Sequence, residues 1–106
     1  MFQAPAHFTE RYQSVESEKG NEVLLICNAF GELPIQISWS KDGQILNQIS
    51  SLHTLEEKAS NLSYVSKFLI RSTASTDTGL YTCLASNQFG RDEKRIELII
   101  KGKLVS

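Results

Sequence analysis

The sequence lacks the features that would connect it to nucleic acid, to a membrane or to a chemical reaction. Its net charge is only −1 over 106 residues, so we expect no strong attraction for nucleic acid or for an anionic membrane. No apolar run approaches the roughly 20 residues of a membrane span. The chain contains no nucleophile elbow, no phosphate-binding glycine loop and no carboxylate pair with a supporting base. We therefore expect no enzyme, no cofactor, no metal and no direct membrane contact.

The start of the chain also lacks a targeting signal. Met1-Phe2-Gln3 has neither the basic start nor the apolar stretch of a signal peptide. We interpret Met1 as an expression start on an excised domain, whose secreted parent would carry its signal elsewhere. Residues 1–100 are predicted to form one domain, since this length suffices for a single core. Residues 101–106 are predicted to be a linker or a tag remnant.

Cysteine is scarce, but its two copies have informative neighbours. Trp39 follows Cys27, and Tyr81 stands two residues before Cys83 in the run Asp77-Thr78-Gly79-Leu80-Tyr81-Thr82-Cys83. Segments of alternating polarity surround these residues, and no segment has a helical period. This constellation resembles the immunoglobulin fold over nearly the whole chain. The resemblance implies an all-β sandwich of two antiparallel sheets joined by one disulfide.

Within that resemblance, the roles of the four residues follow. Cys27 and Cys83 would join the sheets, Trp39 would pack against the disulfide, and the Tyr81 hydroxyl would bond to the corner before its strand. A zinc site and a catalytic thiol are the alternatives for the cysteines. The two histidines are not spaced like a known zinc site, and no base is evident beside a thiol. The disulfide would contribute roughly 4 kcal/mol in the chain-entropy model, and it implies an oxidising, extracellular compartment.

The two-residue period predicts where strands lie and which side chains point into the core. Residues 47–60 are weakly patterned, and we place one strand there. The predicted strands are 5–8, a second edge piece ending at Val15, 22–29, 35–41, 44–46, 52–56, 62–70, 80–87 and 92–100. The residues predicted to point inward, besides the four above, are Phe8, Val23, Leu25, Ile35, Ile37, Tyr64, Ser66, Phe68, Ile70, Ala85, Ile96, Leu98 and Ile100. His53 is expected to lie partly buried beneath its strand.

Three stretches narrow the resemblance further. They are Pro5-Ala6-x-Phe8, Gly31-Glu32-x-Pro34-Ile35-x-Ile37-x-Trp39 and Cys83-x-Ala85-x-Asn87-x-Phe89-Gly90. They are similar to the intermediate (I) set of immunoglobulin domains and, within it, to the Dscam (Down syndrome cell adhesion molecule) family. The resemblance extends to the alternatively spliced seventh domain of arthropod Dscam and to the variable first domain of shortened chelicerate Dscam-like receptors.

The Dscam resemblance implies a function. It indicates a glycoprotein domain in the ectodomain of a single-pass cell-surface receptor, flanked by other immunoglobulin domains. Such domains bind identical copies of themselves, antiparallel and with isoform specificity, through the sheet of strands labelled A′, B, D and E. In this chain the corresponding elements are the predicted edge piece that ends at Val15 and the predicted strands 22–29, 52–56 and 62–70.

The predicted phase of two neighbouring strands supports a binding face independently. If Cys27 points inward, Leu24 and Ile26 point outward, and Val65 and Leu69 do the same on the adjacent strand. An exposed sheet face normally carries polar residues, so four clustered aliphatic side chains indicate an interaction site. The alternatives are that a neighbouring domain or loop covers the cluster, or that a bulge shifts the phase.

Charged residues surround this predicted cluster. Lys67 lies at its centre, and we hypothesise that Lys67 of one copy meets an acidic residue of another, because matched charges give specificity. Solvated surface charge is the alternative for each of these residues. The other residues predicted to lie outward on the same sheet are Glu16, Glu22, Thr54 and Glu56. Asn61-Leu62-Ser63 is a glycosylation sequon in a predicted turn at the rim of the sheet.

Other functions compatible with this scaffold stay open. One is a heterophilic, immune-type recognition domain that uses the loops at one end. Another is a structural spacer in a multi-domain receptor, and a third is an intracellular muscle-type domain. The implied disulfide and the sequon favour an extracellular domain over the last of these.

Overall fold

The computed structural model describes residues 3–46 and 53–102. Within these ranges the chain forms eight strands and one turn of 3₁₀ helix at Ser75–Asp77. The strands are β1 (Tyr12–Glu18), β2 (Val23–Phe30), β3 (Gln36–Lys41), β4 (Gln44–Ile45), β5 (His53–Ser60), β6 (Ser63–Ile70), β7 (Gly79–Asn87) and β8 (Gly90–Lys101).

The strands form two sheets, which confirms the predicted all-β sandwich. One sheet has five strands in the order β1-β8-β7-β3-β4, and the other has three in the order β2-β6-β5. Side chains alternate between buried and exposed along β2 because successive residues of a strand point to opposite faces. The core lies between the sheets, where apolar residues from both inner faces meet.

The residues that carried the fold prediction meet at the centre of this core. Cys27 and Cys83 form the predicted disulfide and are fully buried. The Trp39 indole Nε1 donates to the hydroxyl of Ser66 at 2.7 Å, so the buried indole N–H and the buried hydroxyl satisfy each other. The Tyr81 hydroxyl donates to the carbonyl of Asp77 at 2.7 Å, as predicted. Burial raises the pKa of Tyr81 far above its ordinary value, and the carboxylate of Asp77 adds to that rise.

Most predicted inward residues are buried, whereas the predicted strand ends needed correction. The weakly patterned strand is longer than predicted, since β5 continues past Glu56 to Ser60. Its predicted first residue, Leu52, lies outside the described residues. Lys101, assigned to a linker or tag remnant, is the last residue of β8, and residues 103–106 are also outside the described ranges. The first predicted strand reduces to a single bridge between His7 and Phe30.

The placement of β1 contradicts the expectation for the second edge strand. β1 pairs with β8, so Glu16 lies on the five-stranded sheet and the opposite sheet contains only β2, β6 and β5. The β1–β8 pair is also parallel, so that sheet is not purely antiparallel. The cause lies before β1, where Asp92 of β8 accepts hydrogen bonds from the Phe8 backbone N–H at 2.9 Å and from Arg11 Nε at 3.1 Å. Arg11 in turn accepts a backbone bond from Arg95, which directs the chain along β8.

Candidate functional site

The outward residues of the three-stranded sheet form a regular grid, which we call the outer face. Strand register sets its geometry, because residues opposite each other on paired strands point to the same side of the sheet. Each row takes one residue from β2, one from β6 and one from β5. The upper row is Leu24, Leu69 and Thr54; the middle row is Ile26, Lys67 and Glu56; the lower row is Asn28, Val65 and Lys58; and the end row is Phe30, Ser63 and Ser60.

The β2 side of the outer face is apolar and open to solvent. Leu24 is 45% exposed and Ile26 is 39% exposed, although both belong to a strand whose neighbouring residues are buried. Leu69 and Val65 are half-buried beside them on β6. All four residues therefore point outward as predicted, and no bulge interrupts the register of β2 with β6 between Val23 and Phe30. A contiguous apolar surface of this kind is typical of a protein contact.

The β5 and β6 strands of the outer face carry charges that have no ion-pair partner in the described part of the chain. Glu56, Lys58 and Lys67 are exposed, and no ion pair joins any of them to another residue of the ranges 3–46 and 53–102. Two other polar residues of β5, Glu57 and Thr54, do have hydrogen-bond partners within the domain. Glu57 accepts a hydrogen bond from the Tyr64 hydroxyl at 2.6 Å, and this bond raises the pKa of Tyr64. The hydroxyl of Thr54 accepts a hydrogen bond from the guanidinium group of Arg71 at 2.9 Å.

A groove lies across these unpaired charges. Its volume is about 680 Å³, and it runs along β5 and β6 from the middle row to the end row. Because the groove is open, its walls are available to a partner without any movement of the sheet. The residues lining it are Glu56, Glu57, Lys58, Ser60, Ser63, Val65 and Lys67.

Two further predicted site residues lie at the margins of the outer face. Glu22 is exposed just before β2 begins, and by alternation it lies in line with Leu24 and Ile26, one position beyond the upper row. Asn61 is exposed in the two-residue turn between β5 and β6, where the sequon was predicted to lie. Its neighbour Leu62 has a positive φ of 58°, a conformation that is uncommon outside glycine and occurs mostly in turns. The sequon is therefore presented at the end of the sheet beyond the end row.

Sequence reasoning missed Lys58 and Asn28, which complete the lower row. Lys58 was missed because the predicted strand ended at Glu56, although a longer strand would have placed Lys58 on the same side by alternation. Because Cys27 points inward, alternation predicts that Asn28 points outward. Asn28 is polar, however, as residues on a solvated sheet face usually are, so it gave no sign of a binding site.

Within the described part of the chain, no group of three or more His, Cys, Asp or Glu residues could hold a metal ion. Among the same residues, no helix is long and apolar enough to cross a membrane.

Known proteins resemble this chain in sequence and in fold. It is 33% identical over 100 residues to the cell adhesion molecule Dscam1 of Drosophila melanogaster, covering 93% of this chain and 5% of that protein. It is 34% identical over 98 residues to mouse (Mus musculus) myopalladin, covering 92% of this chain and 7% of that protein. A solved complex of titin M10 with an obscurin-like 1 immunoglobulin domain contains a chain with a TM-score of 0.77 and 26% identity, matched over 96% of this chain and 99% of that one.

These likenesses agree on the family and differ on the parent protein. The chain spans only a small part of the length of the curated relatives, and they include both an adhesion molecule and myopalladin. The model of the immunoglobulin I-set domain matches residues 6–100, and the disulfide, the buried tryptophan and the tyrosine at the corner before its strand fit that match. The chain belongs to the immunoglobulin I-set domain family.

Proposed function

We propose that this domain is an extracellular cell-adhesion module that binds an identical copy of itself through the outer face, in an antiparallel two-fold pair. The observation that supports this most directly is the combination of exposed Leu24 and Ile26 with unpaired Lys67 and Glu56 on one sheet face. Similarity to Dscam1, whose name describes a cell adhesion molecule, points the same way. The parent would be a cell-surface receptor with neighbouring immunoglobulin domains, and charge matching would give isoform specificity.

The size of the outer face indicates a weak contact. Three strands about 4.8 Å apart and four rows about 6.8 Å apart give a projected area of roughly 400 Å² per copy. A stable interface buries about 800 Å² of accessible surface per partner, so one domain alone should associate only weakly. Several such domains in one receptor would strengthen adhesion by avidity.

Sedimentation of the isolated domain tests this proposal. The parent domain should show a mass that rises with concentration towards that of a dimer, and Lys67→Glu should shift that equilibrium towards monomer at least about tenfold. Arg95→Glu is the matched control, since Arg95 is an exposed cation on the five-stranded sheet. A parent domain that remains monomeric, or a Lys67→Glu variant that dimerises like the parent, would refute the proposal.

The sequon adds a second testable element to this function. We infer that Asn61 carries an N-linked glycan when the domain passes through a secretory pathway, since its turn is exposed. Because the turn lies beyond the end row, the glycan would border the outer face without covering its centre. Mass spectrometry of secreted parent and Asn61→Gln domains should show a heavier parent whose extra mass a peptide N-glycosidase removes. Equal masses before treatment would contradict glycosylation.

A structural module inside a larger chain is the second candidate function. It is favoured by the similarity to myopalladin and to a chain of the complex between titin M10 and an obscurin-like 1 immunoglobulin domain. Such a module would bind a different domain or none, so its mass would not depend on its own concentration. Purification from its native source would also separate the candidates, because an extracellular domain should be two daltons lighter than its reduced form through the Cys27–Cys83 bond.

A further inference from the structure

We infer that Glu56 of one copy pairs with Lys58 of the other, twice in each dimer, and that this pair sets how the two outer faces align. The inference rests on the proposed self-association and specifies its geometry. It starts from three charges that have no ion-pair partner within the described ranges, Glu56, Lys58 and Lys67. These charges surround a groove of about 680 Å³.

Symmetry limits how one outer face meets another. When two identical faces contact each other, the two-fold axis lies in the plane between them. If the axis runs across the strands, the strands of the two copies are antiparallel and each column meets its own reversed copy. The axis can lie on a row or in the gap between two rows. Its position decides which row of one copy lies opposite which row of the other, and so defines the alignment.

Three antiparallel alignments are disfavoured by charge. An axis on the middle row places Lys67 against Lys67 and Glu56 against Glu56 of the partner copy. An axis on the lower row places Lys58 against Lys58. An axis between the upper and middle rows places Lys67 against Leu69 and Glu56 against Thr54. Like charges in contact are costly, and a buried charge that meets no opposite charge loses its hydration without compensation.

A parallel alignment is disfavoured for the same reason. An axis running along β6 would exchange the β2 and β5 columns, so Glu56 would lie against Ile26 of the partner copy and Lys58 against Asn28. Lys67 would again meet Lys67. This arrangement removes the apolar column from contact with itself and covers a carboxylate with an aliphatic side chain, which is unfavourable.

The axis between the middle and lower rows gives complementary contacts. Glu56 then lies opposite Lys58 of the partner copy, and the two-fold repeats the pair on the other side of the axis. Lys67 lies over the partner's Val65 and diagonal to the partner's Glu56, as it also would with the axis one gap higher, so the Glu56–Lys58 pair is what distinguishes this alignment. Leu24 lies over the partner's Phe30 and Ile26 over the partner's Asn28, so one of the two exposed apolar residues of β2 is covered by an apolar side chain. The axis passes through the groove, so the grooves of the two copies face each other.

Charge exchange within this pair tests the alignment. The single variants Glu56→Lys and Lys58→Glu should each weaken self-association at least about tenfold, because each places two like-charged pairs at the contact. The double variant E56K/K58E exchanges the two charges and should recover self-association to within about threefold of the parent. An equimolar mixture of the two single variants should form mixed dimers, since both cross pairs become opposite in charge.

The measurements separate failure of the alignment from failure of the proposed function. Sedimentation of the parent and of Leu24→Ser, with folding checked by circular dichroism, shows whether the outer face is used at all. If the parent dimerises and Leu24→Ser does not, yet E56K/K58E stays monomeric and the single variants do not mix, the alignment is wrong and self-association stands. A parent that never dimerises overturns both. Recovery in the double variant together with mixed dimers of the single variants supports the Glu56–Lys58 pair.

Discussion

The outward surfaces of the two sheets satisfy their charges differently. On the five-stranded sheet, Lys101 Nζ lies 2.9 Å from Glu16 Oε2, and an Arg95 guanidinium nitrogen lies 3.6 Å from Glu93 Oε2. On the outer face of the three-stranded sheet, the charged residues have no such partners among residues 3–46 and 53–102. The five-stranded sheet thus pairs some of its outward charges internally, whereas Glu56, Lys58 and Lys67 on the outer face have no ion pair among the described residues.

Exposed apolar residues follow the same division. Tyr12, Leu80 and Ile45 are 57%, 37% and 70% exposed, but polar residues separate them on the five-stranded sheet. Leu24, by contrast, lies directly beside Leu69, and Ile26 continues the column. Isolated exposed apolar residues are normal on soluble proteins, whereas contiguous ones mark contacts. This difference supports placing the proposed binding function on the three-stranded sheet.

The largest expected effect tests the division between the two faces of β2 itself. Leu25 is 1% exposed and Leu24 is 45% exposed, although they are adjacent. Leu25→Ala should lower the free energy of unfolding by about 2–5 kcal/mol, because it leaves a cavity in the core. Leu24→Ala should change it by no more than about 0.5 kcal/mol. Urea denaturation at concentrations where the domain is monomeric measures both, and equal losses would show that the outer face has been assigned wrongly.

A smaller effect tests whether charges near the five-stranded sheet are satisfied internally. Burial alone would raise the pKa of Asp92, but bonds from the backbone N–H groups of Phe8 and Glu93 and from Arg11 outweigh it and lower the pKa below 3.8. A lowered pKa stabilises the fold above the unfolded value and loses that contribution as pH falls through the folded value. Asp92→Asn should therefore cost about 1–2 kcal/mol at neutral pH.

The pH dependence provides the control for this prediction. The difference in unfolding free energy between the parent and Asp92→Asn should shrink as the pH falls below about 4. Glu56→Gln should leave the stability of the monomer unchanged at neutral pH, since Glu56 has no ion-pair partner among the described residues. Denaturation curves between pH 2 and 7, about the range in which carboxylates titrate, measure both variants. A constant difference for Asp92→Asn would contradict an electrostatic role.

The third prediction compares matched leucines on the two sheets. Leu69→Ser removes an apolar side chain from the upper row of the outer face and should weaken self-association at least about tenfold, since each copy loses roughly 1.5 kcal/mol of apolar burial. Leu80→Ser removes an exposed leucine from the five-stranded sheet and should leave self-association unchanged. Sedimentation equilibrium compares the two. An equal loss in both variants would show that the five-stranded sheet also contributes to the contact.

Much of the fold was predictable because it depends on local alternation. Cys27 fixes the phase of β2, so the outward position of Leu24 and Ile26 follows from a two-residue period alone. Tyr64, Ser66 and Phe68 obey the same rule on β6, with Ser66 buried because it accepts the Trp39 indole N–H. Which side chains of a strand are buried can therefore be predicted from the sequence of that strand alone when its residues alternate in polarity.

What was not predictable depends on contacts that are distant in sequence. The sheet that β1 joins depends on Asp92, which is 84 residues from Phe8, and no local pattern around Glu16 records that contact. The extent of β5 was missed because Glu56 to Ser60 are all exposed and have no apolar alternation. Their pairing with β6, rather than their own sequence, holds them in the sheet. The charged half of the candidate site, Lys58 above all, was therefore incomplete until the register was known.

The smallest expected effect tests the corrected position of Glu16. It pairs with Lys101 at 2.9 Å on the five-stranded sheet, and both side chains are more than half exposed. Such exposed pairs contribute only about 0–1 kcal/mol, so Glu16→Gln should lower the free energy of unfolding by less than about 1 kcal/mol and leave self-association unchanged. Glu56→Gln is the matched change on the outer face and should weaken self-association without loss of stability. If Glu16→Gln impaired dimerisation as strongly as Glu56→Gln, β1 would belong to the binding surface, and the contrast between the two sheets would fail.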